Sequence, residues 1–438
     1  MFKFNKQMDT AFGQIHPSAR KLMLVNALRS IGQGMMVVEL ALYLDALGWG
    51  TAAIGSVLAA GGLLGVGLAP VIGIYSDRWG RKPFILVSEL ITAGCALIGV
   101  LSTNTILLFM AITFSGFGKA DAGSPSPCAP AEQAWLAAFI PKTERGRLYS
   151  LNNALSFFGM TAGAALAGTT ALWKNILLGG SSYRLLFIFI FILSLITASI
   201  ILTIREEKVK RQQGYIMEKS GNQEKKILHE ENSAVMKLAA INILNGIAIG
   251  LTGPMMSYWF AAKFGASSSQ IGGTLAITFF VTGMTSILQA RLSHKHGTIR
   301  SIVLIRFLAS LMLILMPLLS SYALVSVLYI IRTALNRGTQ GAQQALSVSL
   351  TRDMRRGFAS SINVFSMRLP MSVGPYISGY LFGLGSLSLP FYIASGLQLS
   401  FAYLYGKVFS SYEIRMKSHT TPDESASNNL LYLLNKKM

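Results

Sequence analysis

Residues 73–82 read Gly73-Ile74-Tyr75-Ser76-Asp77-Arg78-Trp79-Gly80-Arg81-Lys82, between two apolar runs at 52–75 and 84–101. Gly73 permits close helix approach and Gly80 a sharp turn, because neither carries a Cβ. Asp77 can sit against a helix N-terminus, where a carboxylate gains about 0.3–1 kcal/mol. Arg81 can fork onto a nearby carboxylate, and Arg78 and Lys82 add to the positive charge of the turn. Each flanking run approaches the ~20 residues that cross hydrocarbon as a helix. The stretch therefore reads as a tight basic loop between two membrane spans.

The same alternation continues outward. Apolar stretches run near 20–44, 52–75, 84–101, 104–140, 148–173 and 183–203, then near 236–262, 268–291, 298–319, 321–350, 356–384 and 388–410. The expected fold is all-α: twelve transmembrane helices in two six-helix bundles, 20–203 and 236–410. A polar segment 1–19 precedes them, a mixed-charge linker 204–235 joins them, and a tail 411–438 follows. Composition agrees. Of 438 residues 13% are charged and 52% apolar, against roughly 25% charged in soluble domains. This excludes a soluble enzyme, a coiled coil, a disordered scaffold and a disulfide-stapled secreted domain.

Lys and Arg number 38 against 18 Asp and Glu, for a net charge of +20. Such a balance suits nucleic acid, but the cations collect in short segments between spans, so no nucleic-acid partner is expected. Arg20/Lys21, Arg78/Arg81/Lys82, Lys142/Arg145/Arg147, Arg291/Lys295/Arg300 and Arg352/Arg355/Arg356 fall in alternate loops, while Lys174, Arg184 and Lys263 are the main cations opposite. Both termini and the linker are thus expected in the cytoplasm, with the chain in the plasma (inner) membrane. The first residues are polar and basic and do not read as a cleavable signal. Cys95 and Cys128 lie in apolar context and make neither a structural disulfide nor a metal site.

The two halves repeat. Arg145-Gly146, Ser150, Asn152, Gly163 and Gly168 match Arg356-Gly357, Ser361, Asn363, Gly374 and Gly379 at a separation of 211, since 357 − 146 = 211. Gly48, Ile54, Gly55, Ser76 and Gly80 match Gly265, Ile271, Gly272, Ser293 and Gly297 at 217, as 265 − 48 = 217. Parallel six-helix repeats about an axis along the membrane normal are one transporter architecture.

The 73–82 loop resembles the signature GxxxDRxGR[RK] of the major facilitator superfamily, and Pro141–Arg147 resembles the family's loop after span four. With the repeat, the similarity covers about residues 20–410. It implies a secondary transporter working by alternating access, monomeric by family default, in which Gly73, Asp77, Arg78, Gly80, Arg81 and Lys82 latch the halves together on the cytoplasmic side and release during the cycle. The sequence departs from the pattern in places. His294 stands where the second-half loop should carry Asp, Ala138 where an acid often precedes the proline of span four, and span five lacks the Gly-Pro signature of drug antiporters.

An ionisable group within a span costs on the order of 2.5–3.5 kcal/mol, so each needs a reason. Asn26, Arg29 and Gln33 form one stripe on span one and suit a cavity wall, with Arg29 either holding an anion or carboxylate or snorkelling to the surface. Glu39, farther along, is either a titrating carboxylate or an interfacial acid beside Asp45. Span four, at 37 residues from Asn104 to Ile140, exceeds the bilayer and carries Pro125, Pro127, Pro130, Gly116, Gly118 and Gly123, which should interrupt it. Interrupted spans point to transporter sites. This one holds Lys119, Asp121 and Glu132; Asp121, Glu132 and Glu39 are the proton-coupling candidates, although Lys119 and Asp121 could simply neutralise each other. Asn242, Asn245, Arg332, Asn336 and Gln340 are the second-half cavity candidates, and Pro254 should kink span seven. Asn152 and Asn363 either line the pathway or satisfy backbone.

No GxxxxGK[ST], HExxH or cysteine pair at metal spacing occurs, so no cofactor or metal is expected and the energy source is an ion or substrate gradient. The function expected is proton-coupled export of a small anionic or zwitterionic molecule, with uptake as the alternative direction. A lipid scramblase or a non-transporting receptor on the same scaffold is the alternative from another class.

Overall fold

The computed structural model describes residues 16–118, 127–139, 145–170, 181–206, 222–292, 298–339, 343, 346 and 356–420. Within them the chain forms α1 (Pro17–Ala46), α2 (Thr51–Trp79), α3 (Lys82–Leu101), α4 (Thr105–Ser115), α5 (Ala129–Ala138), α6 (Arg145–Gly168) and α7 (Ser181–Leu202) in the first half. The second half comprises α8 (Asn222–Thr252), α9 (Met256–Phe264), α10 (Ser268–Leu292), α11 (Thr298–Leu315), α12 (Tyr322–Gly338), α13 (Arg356–Gly383) and α14 (Leu389–Thr420). Six described helices are long and apolar enough to cross a membrane on their own. Others miss that standard for reasons visible in their sequences: α1 carries Arg20, Lys21, Arg29, Glu39 and Asp45, and span four is split into two short helices.

Both splits follow local chemistry. Asn104 caps α4 by accepting from the backbone N–H groups of Ile106 (3.0 Å) and Leu107 (3.2 Å). The helix stops at Gly116 in the left-handed conformation (φ 66°), and α5 resumes with Pro130 in its first turn. In span seven Pro254 separates α8 from α9, as expected. Two boundaries differ from expectation. The linker is helical from Asn222, because Gln223-Glu224-Lys225-Lys226 are strong helix formers, and α14 continues to Thr420.

Small residues set the packing inside each half. α1 lies against α6 so closely that a Cβ on Gly34 would collide with the carbonyl of Met160. α8 lies against α13 in the same way, Gly250 meeting the carbonyl of Met371. The glycines are 216 positions apart (34 and 250) and the methionines 211 (160 and 371), so the repeat is a repeat of contacts. Without a hydrophobic drive between helices in lipid, such backbone approach is what holds spans together.

The halves meet through α2 against α13 and α6 against α10. Gly55 abuts Pro375, Gly62 abuts Ser372, Gly272 abuts Gly168, and Ser257 donates to the Val37 carbonyl at 2.6 Å. All four approaches lie in the parts of these helices remote from the basic loops. Farther toward the loops, a Cβ on Gly67 or Gly73 of α2 would meet nothing within 4 Å. Among the described residues the tightest backbone approaches between the halves thus lie away from the basic loops.

Candidate functional site: two buried polar clusters

In the N-terminal bundle the polar side chains converge on Arg29 of α1. Its Nε donates to Glu89 Oε1 at 2.7 Å and its Nη2 pairs with the same oxygen. Its Nη1 pairs with Glu132 Oε1 of α5 at 2.6 Å. Glu89, on α3, is 2% exposed and also accepts from Thr197 of α7 at 2.7 Å. One guanidinium thus ties four helices together and faces two carboxylates. Glu132 is the more open of the two acids, at 16% side-chain exposure against 2%.

The stripe Asn26, Arg29 and Gln33 is turned into this bundle's interior rather than onto an open wall. Asn26 is buried and donates to Ser156 of α6 at 2.7 Å, and Gln33 is half-buried. Arg29 does not snorkel, because two acids hold it inward. Glu39 is 1% exposed and accepts from Thr170 at 2.5 Å, so it is not an interfacial acid beside the exposed Asp45. Asp121, Lys119 and Gln340 lie outside the described residues.

The C-terminal bundle has its own cluster around Arg306 of α11, which is fully buried. Its Nε donates to Thr339 Oγ1 (2.9 Å), its Nη1 to the Oδ1 atoms of Asn245 (3.0 Å) and Asn336, and its Nη2 to Gln343 Oε1 (3.2 Å). The Phe401 ring lies 5.4 Å from the guanidinium carbon. Arg332 of α12 is buried nearby, at 5% exposure. Asn242 donates to Asn363 Oδ1 at 2.5 Å, so Asn363 joins α13 to α8. Expectation included Asn245, Arg332 and Asn336 but not Arg306, and it included Glu132 but not Glu89.

The 73–82 loop is ordered from within the first half. Glu206, just beyond α7, accepts the backbone N–H groups of Arg81 (2.5 Å) and Lys82 (3.1 Å), capping α3. Gly80 adopts φ 97°, and a Cβ there would lie 2.9 Å from Glu206 Oε2, so glycine is needed twice over. Arg81 Nη1 donates to the Ala134 carbonyl of α5 at 2.9 Å and Nη2 reaches Asp77 at 3.4 Å. Lys82 Nζ donates to the carbonyls of Leu202 and Ile204. Every one of these partners belongs to the N-terminal bundle. Among the described residues the motif is thus held by its own half of the chain.

Two repeated helical bundles, each with a buried polar centre, have the architecture of membrane transporters of the rocking-bundle class. The chain belongs to the Major Facilitator Superfamily, whose family model matches residues 22–231 and 238–426. An uncharacterized membrane protein of Saccharomyces cerevisiae is 21% identical over 424 residues, covering 89% of this chain and 93% of that protein. Among solved structures, the nucleoside transporter NupG is similar at TM-score 0.67 and 15% identity, covering 90% of this chain and 99% of that one. A bacterial homolog of the human lysosomal transporter Spinster, in an inward-facing unoccupied conformation, gives TM-score 0.64 and 16% identity over 91% and 96% of the chains. The human organic anion transporter MFSD10 gives 0.61 and 15% over 89% and 100%. These likenesses share a fold and leave the cargo to the site.

Proposed function

We propose that the protein is a proton-coupled exporter of a small anionic or zwitterionic molecule, with the Arg29–Glu89–Glu132 cluster as the proton switch. The observation that carries this reading is one buried cation facing two carboxylates. A surplus negative charge in a span is costly, and a proton on one acid removes it. Glu89 is fixed by Arg29 and Thr197 together, whereas Glu132 has only Arg29 among the described residues and is more exposed. Glu132 is therefore the exchanging acid. Its protonation loosens the Nη1 contact, and α5 is freed from α1 beside the break in span four.

The positive-inside rule puts the basic loops in the cytoplasm, together with both termini and the linker. The direction rests on the family resemblance. The test begins with a thermal-shift panel of anionic and zwitterionic metabolites on the purified protein, since a bound cargo stabilises by mass action. Proteoliposomes loaded with a stabilising compound are then assayed for proton flux. Wild type should couple cargo efflux to proton entry, and Glu132→Gln should move cargo without protons or not at all. Unchanged coupling in both Glu132→Gln and Glu89→Gln would refute the switch.

A further inference from the structure

The two buried clusters occupy equivalent positions in the repeat but carry opposite charge. At the 216 separation of Gly34 and Gly250, Arg29 corresponds to Asn245; at 217, Glu89 corresponds to Arg306; at 211, Glu132 corresponds to Gln343. Where the first half sets an arginine between two carboxylates, the second sets an arginine among neutral amides. The imbalance extends through the sequence. Between Glu231 and Glu413 the only acidic residue is Asp353, in the segment before α13, so no span of the second half supplies a carboxylate to Arg306 or Arg332.

The two arginines are also used differently. Arg306 spends four hydrogen bonds on fixed neighbours, so it is held in place as a charge. Arg332 is 5% exposed, yet its Nε and Nη2 have no hydrogen-bond partner among the described residues. The Arg306 and Arg337 guanidiniums and the neutral Tyr329 phenol lie close enough to interact electrostatically with Arg332. Arg337, near the end of the same helix, lies over Phe157 of the opposite half, 5.7 Å from the ring centre. A buried guanidinium whose fork has no partner among the described residues, backed by a second fixed cation, is built for a planar or tetrahedral oxyanion.

We propose that Arg332, with Arg306 fixing the field behind it, seats a carboxylate or phosphate group of the cargo, so that the anionic end of the molecule rides on the C-terminal bundle. This rests on the transporter reading above and moves the anion seat from Arg29, whose charge is already met, to the second half.

The test uses the full-length protein in nanodiscs of zwitterionic lipid, with inorganic phosphate and succinate as probes at constant ionic strength. At least one probe should raise the unfolding temperature saturably, and Arg332→Gln should need about tenfold or more of it, the loss of one charged contact. Arg332→Lys, which keeps the charge but not the fork, should fall between them and shows that the variant protein still folds. Equal stabilisation of wild type and Arg332→Gln, or none by either probe, overturns the proposal. Bilayers enriched in phosphatidylglycerol separate the two sources of such a group. Probe binding should persist there; abolition by anionic lipid would assign the seat to a headgroup and overturn the cargo role. Glu132→Gln should bind the probes like wild type. Normal probe binding with intact proton flux in that variant would sink the proton switch alone, and undiminished probe binding in Arg332→Gln with lost flux in Glu132→Gln would sink the anion seat alone.

Discussion

Replacing Arg29 by Gln keeps much of the side chain's length and removes the one cation that, among the described residues, pairs with both Glu89 and Glu132. The wild-type guanidinium makes a two-nitrogen contact with Glu89 and a 2.6 Å contact with Glu132. At an effective dielectric near 20, one charge pair at about 4 Å is worth roughly 4 kcal/mol of Coulomb energy. Against this stands the relief of no longer burying Arg29 itself, so the two lost pairs do not simply add. Breaking a buried pair by deleting one partner costs about 3–5 kcal/mol. At roughly 2 °C per kcal/mol, that is a fall of about 6–10 °C in unfolding temperature. Removing an acid as well, in Arg29→Gln/Glu89→Gln, takes away most of the repulsion and should restore about half of the loss. Thermal unfolding followed by tryptophan fluorescence suits the measurement, because Trp135 is buried on α5 in the same helix as Glu132. The reasoning fails if Arg29→Gln stays within about 1 kcal/mol of wild type, or if the double variant is less stable than both single ones.

Three further outcomes follow from contacts elsewhere. Gly34→Ala and Gly250→Ala should each destabilise by about 1–3 kcal/mol despite alanine's better helix propensity, because the new methyl meets a backbone carbonyl that cannot turn aside. Being repeat equivalents, they should shift the unfolding temperature alike, and a large difference would break the equivalence of the two helix pairs. Glu206→Gln should cost about 1–3 kcal/mol by weakening the cap on the Arg81 and Lys82 amides, read as faster hydrogen exchange at the start of α3; unchanged exchange would count against the cap. Thr170→Val preserves shape but deprives Glu39 of a donor, so the unfolding curve should shift down by about 1–3 kcal/mol. No shift would mean that the hydroxyl contributes nothing to the buried carboxylate.

The fold was legible because its signals are long. Twenty-residue apolar runs, alternating loop charge and a repeat at fixed separation each integrate over many positions, and the breaks at Pro254 and beyond Gly116 are backbone chemistry written in single residues. The site was legible only in part. Arg29 and Glu132 stood out as charges in spans, but which side of α1 faces its own bundle is a tertiary fact that helical spacing does not contain. Glu89 and Arg306 were passed over although both are charges in apolar runs. The repeat itself held the missing signal, since positions 89 and 306 are 217 apart and a charge reversed at equivalent sites marks a centre worth inspecting. The linker's helical end was hidden for a different reason: a polar, charged segment reads as loop when hydropathy is the only guide, though its Glu and Lys favour helix.

Helix α13 belongs to both sides of the molecule at once. Its middle, at Met367 and Met371, is pressed against Gly246 and Gly250 of its own bundle, while Pro375 and Gly379 rest on Thr51 and Gly55 of the other. Pro370 and Pro375 fall at this changeover, and each deletes a backbone hydrogen bond that would otherwise stiffen the rod. Beyond the prolines α13 touches both halves, since Ser378 donates to the Leu251 carbonyl of α8 while Gly379 rests on Thr51 of α2. The helix that joins the two sides of the seam is thus one whose backbone ladder is thinned where it passes from one half to the other.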